Sequence, residues 1–461
     1  MKIILPKHPL EIIKKLESAG FEAYAVGGGI RDLLLKRQIP IKSGQTDNWD
    51  FTTNASPEQI QKVFPDSFYA NTFGTVTIVE KEKDKEEKYE ITTYRVESSY
   101  ADFRHPGKIS WGKTLEEDLS RRELTISAMA VGADGELIDP YGGEKDLKAG
   151  LIRTVGNPEK RFGEDALRLM RAIRIATQLG FVIEEKTFAA IKKNAELIKK
   201  ISGERVRDEL IKILKTNHPA DGIMLLHNSG LLAHIFPEVE KGYGMAQSKH
   251  HKYDVFKHSV ESLRFCPSKD WPVRLATFLH DVGKPVTVAG ENENRTFYNH
   301  EVAGASIARH IAALYRFSRE DREKLVTLIR WHQFSVDEFQ TDKAIRRFIK
   351  RVGNEYLKDI FDLRIGDRLG GGCLTATSWR LRKYMQRTIE VQKHTPSIKD
   401  LKINGYDIMS ELKIKPGPMV GKILESLFAE IMEEPEKNEK EYLLKKAKSL
   451  LGALSAATTL T

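Results

Sequence analysis

Four groups of side chains in this 461-residue chain have types and spacings that could do chemistry. The first, Val26-Gly27-Gly28-Gly29-Ile30-Arg31-Asp32, lies where a short strand gives way to a helix. Glycines let the backbone approach a phosphate closely, and a helix N-terminus offers unpaired N–H groups and a positive dipole. Arg31 adds a full charge one turn in. The second is Asp47-Asn48-Trp49-Asp50-Phe51. Residues two apart on a strand share a face, which puts Asn48 and Asp50 on one side and Asp47 on the other. Paired carboxylates at that spacing bind the two Mg²⁺ ions of phosphoryl transfer, and Glu90 on a later strand would be the third acid. Here only Asp50 of the pair is a carboxylate. The third group, Asp165, Arg168, Arg171 and Arg174, is spaced by three and would climb one face of a helix with drift. The fourth is His258, His280-Asp281 and Asp367, with His300 and His332 between them. These are suitable ligands for a divalent metal that activates water for phosphoester hydrolysis. Each group has a plain structural counterpart (a tight turn, a solvated helix face, an internal polar cluster) that residue types alone leave open.

Length allows about three domains at roughly 150 residues each. The chain is 40% hydrophobic and 30% charged, enough for real cores and too apolar for disorder. Pro9–Gly20 reads as an amphipathic helix, Glu22–Val26 as a strand, and the three glycines open a helix through Leu35. Trp49–Thr53 is a strand and Pro57–Phe64 a helix with proline in its first turn. Thr75–Glu80 and Tyr89–Arg95 alternate as strands around a charged loop, Lys81–Lys88. Beyond Gly150 the pattern is helical: Arg161–Leu179, Glu184–Lys199 and Glu204–Lys215, with breaks at Gly180 and Gly203, then a block over Pro219–His394. A tail turns at Lys415-Pro416-Gly417-Pro418 into two helices and frays over its last eight residues. The fold class is therefore multidomain α+β: a mixed-sheet α/β head at 1–150, a helical neck at 151–218, a helical body at 219–395 and a helical tail at 396–461. The net charge is +9, and +6 of it falls in Leu151–Asn217, where fifteen basic residues meet nine acidic ones. Such a concentration suits a phosphate-bearing partner. Before Pro6 the apolar run is three residues, and no apolar stretch approaches the ~18 residues a membrane span needs. Cys266 and Cys373 are too few for a cysteine-rich zinc site or a disulfide framework. A soluble, cytoplasmic protein is expected, with no membrane partner.

Six ordered segments together carry a family likeness: Gly27-Gly28-Gly29-Ile30-Arg31-Asp32, Asn48-Trp49-Asp50, Phe73-Gly74-Thr75-Val76, Glu90-Ile91-Thr92-Thr93-Tyr94-Arg95, Leu115 to Thr125, and Glu164-Asp165-Ala166-Leu167-Arg168. The set resembles the bacterial class II tRNA nucleotidyltransferase and poly(A) polymerase family, most closely its CCA-adding members. Leu279-His280-Asp281-Val282-Gly283-Lys284-Pro285, with Gly366-Asp367-Arg368, resembles an HD-type phosphohydrolase domain.

The resemblance implies addition of C, C and A to a tRNA 3′ end from CTP and ATP, with Mg²⁺ and without a nucleic-acid template. It implies that Gly28, Arg31 and Arg122 touch the nucleotide, that Asn48, Asp50 and Glu90 are the metal and catalytic positions, and that Asp165 and Arg168 lie beside the base. Arg171 and Arg174 would face the phosphates. An aspartate accepts from an exocyclic amine, which cytosine and adenine both present and guanine and uracil replace with oxygen there. A mismatched, unpaired acceptor costs ~1–3 kcal/mol, so one Asp/Arg pair can select C and A. In the HD block His258, His280, Asp281 and Asp367 would hold a second divalent metal, while His250 and His251 read as an RNA-facing surface. Two residues depart from the family pattern: Asn48 stands for the first aspartate and Glu123 for the aspartate after Arg121-Arg122; Ser127 also replaces a common asparagine. The competing readings are CC-only or A-only addition, poly(A) synthesis, an HD phosphohydrolase with a vestigial head, and a non-catalytic tRNA-binding protein.

Overall fold

A computed structural model of the chain describes residues 2–36, 49–69, 74–82, 85–100, 106–247, 252–291, 294–337, 339–393 and 398–458. Asp47, Asn48, Phe73, His250 and His251 lie outside the described residues. The chain divides into two compact units, residues 1–241 with 311–316, and residues 242–310 with 317–461.

In the first unit, α1 (Lys7–Ser18) buries Pro9, Ile12, Ile13 and Leu16 along one stripe and leads into β1 (Ala23–Val26). Then come α2 (Gly28–Leu34), β2 (Asp50–Thr53) and α3 (Pro57–Val63). Ser56 and Gln59 cap α3 reciprocally, side chain to backbone in both directions. β3 (Ser67–Tyr69), β4 (Thr75–Glu82) and β5 (Lys85–Thr93) follow, with a separate ribbon of β6 (Arg95–Tyr100) and β7 (Pro106–Trp111). After α4 (Leu115–Ser120) the chain adds β8 (Ala130–Val131), β9 (Leu137–Ile138) and α5 (Gly143–Ala149). The sheet order is β3-β4-β5-β2-β1-β8-β9, with β2 parallel to β5 and antiparallel to β1. This is the expected mixed sheet with helices. The hairpin differs from expectation: β4 and β5 run into the charged stretch instead of stopping before it. The register sets Lys81 opposite Glu86 and Glu82 opposite Lys85, an opposite-charge order that favours pairing over a loop.

The rest of this unit is helical apart from β10 (Leu151–Ile152) beside β11 (Val182–Ile183). Its helices are α6 (Pro158–Glu164), α7 (Leu167–Leu179), α8 (Glu185–Asn194), α9 (Gly203–Leu214), α10 (Pro219–Asn228), α11 (Leu231–Ile235) and α12 (Pro237–Glu240). The expected single helix over Arg161–Leu179 is two. Asp165 is extended (φ −138°, ψ 109°) and its carboxylate accepts the Leu167 N–H at 3.0 Å, so it starts the second helix as a cap would.

The second unit carries α13 (Val255–Phe265), α14 (Trp271–Leu279), α15 (Lys284–Thr287), α16 (His300–Leu314, within this unit to His310), α17 (Arg319–Trp331), α18 (Asp342–Val352), α19 (Leu357–Gly370) and α20 (Trp379–Lys393). The tail contributes α21 (Gly405–Leu412), α22 (Pro418–Glu433) and α23 (Lys440–Thr458), packed around Ile408, Ile423, Leu427, Leu443 and Ala447. Helix α23 continues to Thr458, past the point where fraying was expected; its Ala- and Leu-rich end favours helix.

Helices α13 and α19 touch backbone to backbone. A Cβ on Gly366 would lie 2.6 Å from the Ser262 carbonyl oxygen, and one on Gly370 2.4 Å from the Ser262 nitrogen. These two glycines, four apart, let the helices approach closely enough for their polar side chains to meet. Gly370→Ala should force the pair apart at a cost of about 1–3 kcal/mol. Urea unfolding of the full chain should show an earlier transition for the variant; an unchanged midpoint would mean that the contact is slack.

Candidate active site

Three neighbouring strands set the head's acidic site. Val26 of β1 is the register partner of Asp50 of β2, and Asp50 is the register partner of Glu90 of β5. Register partners lie on one face of a sheet, so the start of the glycine turn and the two carboxylates form a row. Phe51, Thr52 and Thr53 are buried, which leaves Asp50 as the open end of β2. Gly27 has φ +78° and needs both its conformation and its size. A Cβ there would sit 3.1 Å from Asp50 Oδ2 and 3.3 Å from Arg122 Nη1. Asp50 is accessible yet ringed by protein. That loss of water raises its pKa, while Arg122 and Arg171 pull it down. Glu90 is raised too, by burial first and then by the charge of Asp50. Two acids that each make the other harder to ionise are a fit for a shared divalent cation.

Asp118 orders the cationic side. It is fully buried on α4 and accepts from Arg121 at 2.6 and 2.8 Å and from Arg122 at 3.4 Å. Burial alone would raise its pKa, but Arg121 and Arg122 outweigh that and hold it below the usual range. Arg122 keeps a buried Nε with no hydrogen-bond partner. The sequence reading passed over Asp118, although its spacing of three and four from the two arginines on a helix was the available signal. Gly28 is the first residue of α2, and Arg31 is buried with its guanidinium on Asp32 at 2.8 Å.

The base-side residues are arranged differently from expectation. Asp165 stands in the break before α7, so only Arg168, Arg171 and Arg174 share that helix. Each arginine has an internal carboxylate: Arg168 with Glu164 at 2.5 Å, Arg171 with Glu123 at 3.0 Å, and Arg174 with Glu209 at 2.6 Å. Glu123 foremost raises the Arg171 pKa. The departure at Glu123 thus provides the partner of Arg171. Asp165 Oδ2 accepts from Arg205 Nη2 at 3.1 Å, a contact across forty residues that no local spacing announces. Much of the neck's basic excess is spent on such pairs, with Arg153, Arg161, Lys193 and Lys212 also engaged.

In the second unit the four histidine-block residues named from sequence do meet. His258 Nε2 lies 3.4 Å from Asp281 Oδ2 and 3.2 Å from Asp367 Oδ1; His280 Nε2 lies 3.2 and 3.8 Å from the same atoms. Lys284 Nζ is 2.6 Å from Asp281 Oδ2. Burial would raise the pKa of Asp281, but His280 and Lys284 lower it strongly. Asp367 is likewise lowered against its burial, by His258 and His280. Cys266 is buried and Cys373 exposed, both free.

Family models match consecutive stretches of the chain: the poly A polymerase head domain over residues 23–153, the probable RNA- and SrmB-binding site of polymerase A over 180–242, the HD domain over 255–368 and a putative tRNA nucleotidyltransferase domain 2 over 351–447. The CCA-adding enzyme of Ligilactobacillus salivarius (strain UCC118) is 34% identical over 449 residues, covering 96% of both chains. The chain belongs to the CCA-adding enzymes. The family member of Lactobacillus helveticus (strain DPC 4571) is 48% identical over 205 residues, 44% of this chain and 49% of its own. The solved CCA-adding enzyme of Bacillus stearothermophilus in complex with CTP superposes with a TM-score of 0.67 at 26% identity, covering 98% of this chain and all of that one. The Thermotoga maritima CCA-adding enzyme complexed with tRNA shares the fold, with a TM-score of 0.55 at 21% identity, over 97% of each chain. Enzymes of this family are nucleotidyltransferases that depend on a divalent metal. Among the described residues no helix is long and apolar enough to cross a membrane.

Removing the carboxylate of Asp118 from this CCA-adding enzyme should leave Arg121 and Arg122 charged and unanchored, a loss of roughly 3–5 kcal/mol for a buried pair broken on one side. A depressed carboxylate pKa stabilises above its unfolded value and loses that stabilisation as pH falls through the folded one. The stability gap between the parent and Asp118→Asn should therefore be constant above about pH 4 and narrow below it. Denaturation midpoints from pH 7 to 3 measure this; a gap that widens in acid contradicts the assignment.

Proposed function

We propose that the chain adds C, C and A to the 3′ end of tRNA from CTP and ATP, with Mg²⁺ held by Asp50, Glu90 and the side-chain oxygen of Asn48. One observation carries the reading: Asp50 and Glu90 are register partners beside Gly27 in a chain that is 34% identical to a CCA-adding enzyme over 96% of its length. Solved relatives in complex with CTP, with ATP and with tRNA supply the ligand classes.

In this reading the turn at Gly27–Gly28 lets the triphosphate lie against backbone, and Arg31 and Arg122 supply positive charge at its flank. Bound Mg²⁺ would offset phosphate charge and help ionise the attacking 3′-hydroxyl. Asp165 is held as an acceptor by Arg205 and the Leu167 N–H, with lone pairs left for the amine of cytosine or adenine. Arg168 donates to the base, and Arg171 and Arg174 complete the basic wall towards the phosphates. We assign the head to 1–150, the neck to 151–218, the HD body to 219–395 and the tail to 396–461, and place the protein in the cytoplasm with its tRNA. The meeting of His258, His280, Asp281 and Asp367 favours a second divalent metal in the body.

Trimmed tRNA incubated with labelled CTP or ATP and Mg²⁺ tests the assignment: stepwise C, C, A is expected. A ladder of A, growth that stops after CC or begins at A, or no growth would support a competing reading instead. Asn48 removes one negative charge from a metal site. Since loss of even a supporting residue costs ~10–100-fold, Asn48→Asp should speed single-turnover addition at least about ten-fold at low Mg²⁺. Equal rates across a Mg²⁺ titration would show that another group supplies that ligand. Asp165→Ala should raise UTP or GTP incorporation relative to CTP and ATP; an unchanged preference would place selection elsewhere.

A further inference from the structure

The HD body contains more metal-ligating side chains than one ion needs. Besides His258, His280 and Asp367, a second buried trio of Asp281, His300 and His332 has its ligand atoms within 4.8 Å of one another. Asp281 belongs to both neighbourhoods. Its Oδ2 faces His258 and His280, and its Oδ1 lies 3.3 Å from His300 Nε2 and 3.9 Å from His332 Nε2.

The ring tautomers make this arrangement hard to satisfy without a cation. His300 Nδ1 is 2.8 Å from the Phe297 carbonyl and His332 Nδ1 is 2.7 Å from the Ile329 carbonyl. A carbonyl only accepts, so each Nδ1 carries its hydrogen, and in a neutral ring Nε2 is then a bare lone pair. The two Nε2 atoms nevertheless face each other at 3.2 Å in the interior. Two lone pairs at that distance repel; a cation between them turns the repulsion into coordination. His280 shows the same pattern, its Nδ1 on the Thr277 carbonyl at 2.7 Å and its Nε2 at 3.2 Å from His258 Nε2. Donation of the outer N–H to a backbone carbonyl is how ligating histidines are held.

We propose that the body holds a dinuclear divalent-metal centre, with Asp281 bridging a His258–His280–Asp367 position and a His300–His332 position, and that it hydrolyses a phosphoester. Two dications against two carboxylates leave a positive surplus that an anionic substrate offsets. A cavity of about 240 Å³ is lined by Arg364, Arg368, Arg380, Ser335 and Ser378. It adjoins the centre through Arg364, whose Nη1 lies 3.1 Å from Asp367 Oδ2, and Arg368 has a buried Nε without a hydrogen-bond partner. Three guanidiniums there suit the phosphate-bearing part of the substrate. The oxygen of one water bonds to phosphorus, one ester P–O bond breaks, and the water proton passes to the leaving oxygen; no redox partner is needed.

This inference rests on the metal reading of the body and adds a second ion to it. The test uses the full chain carrying Asp50→Ala and Glu90→Ala, so that head sites do not bind, stripped with chelator and titrated with Mn²⁺. Two tight equivalents with a spin-coupled EPR signal are expected. His300→Gln with His332→Gln should leave one equivalent and an uncoupled signal, and His258→Gln should remove the other. His332→Asn is read in the same way should the double variant misfold, as judged by circular dichroism. Hydrolysis of bis(p-nitrophenyl) phosphate should fall at least ten-fold in the double variant, and Arg368→Met should raise KM more than it lowers kcat. One equivalent in the parent, unaffected by His300→Gln and His332→Gln, overturns the dinuclear centre and leaves the single-metal reading standing. No tight Mn²⁺ at all overturns both. Two equivalents without hydrolysis of this diester or of p-nitrophenyl phosphate overturn the phosphoesterase assignment.

Discussion

The repulsion between Asp50 and Glu90 is the constraint around which the head is arranged. Backbone register holds the two acids on adjacent strands, where neighbours are separated by roughly 5 Å. At an effective dielectric of about 20, two such charges cost about 3 kcal/mol, an upper bound because both side chains reach water. The sheet keeps them there regardless, since moving either would cost ladder hydrogen bonds and the burial of Phe51 and Ile91. Around this forced pairing the other parts fall into place. Gly27 has no side chain because Asp50 occupies the space, and Arg122 is aimed at Asp50 by Asp118 behind it.

The second unit meets a related problem by a different route. Five helices must bring histidines and aspartates to one point in an otherwise apolar interior. Gly366 and Gly370 bring α19 onto α13, which lets Asp367 reach His258. The remaining ligands sit at helix ends: His280 closes α14, His300 opens α16 and His332 closes α17. At those ends the neighbouring carbonyls are free to orient the rings. Stability is given up locally in both units, and packing elsewhere compensates.

Much of this was legible beforehand. Strand alternation and the glycine turn announced the row of Val26, Asp50 and Glu90, and the histidine spacing announced the four residues that meet in the body. What escaped was decided by contacts distant in the chain or by competition between local structures. Periodicity alone carries a helix through Asp165; a carboxylate that caps the following turn ends it there. The arginines of α7 looked like a free basic face because Glu123 and Glu209, their partners, lie 48 and 35 positions away. His300 and His332 were noticed as lying between ligands, but nothing in their spacing says that both rings turn towards Asp281. Short-range rules identify the groups; the pairing of distant helices determines what they face.

The suspension of Asp165 between Arg205 and the Leu167 N–H has a consequence for accuracy. The residue belongs to no regular element, so its direction is inherited from the packing of α9 on α7, through Val206, Leu210 and Ile213 on one side and Met170 and Ile173 on the other. The letter written at each step therefore depends on an apolar contact that never meets a nucleotide. A loosened contact would let the acceptor wander while the acids that drive bond formation, anchored in the sheet, stay in place. Warming should then corrupt the spelling of the product before it slows the pen.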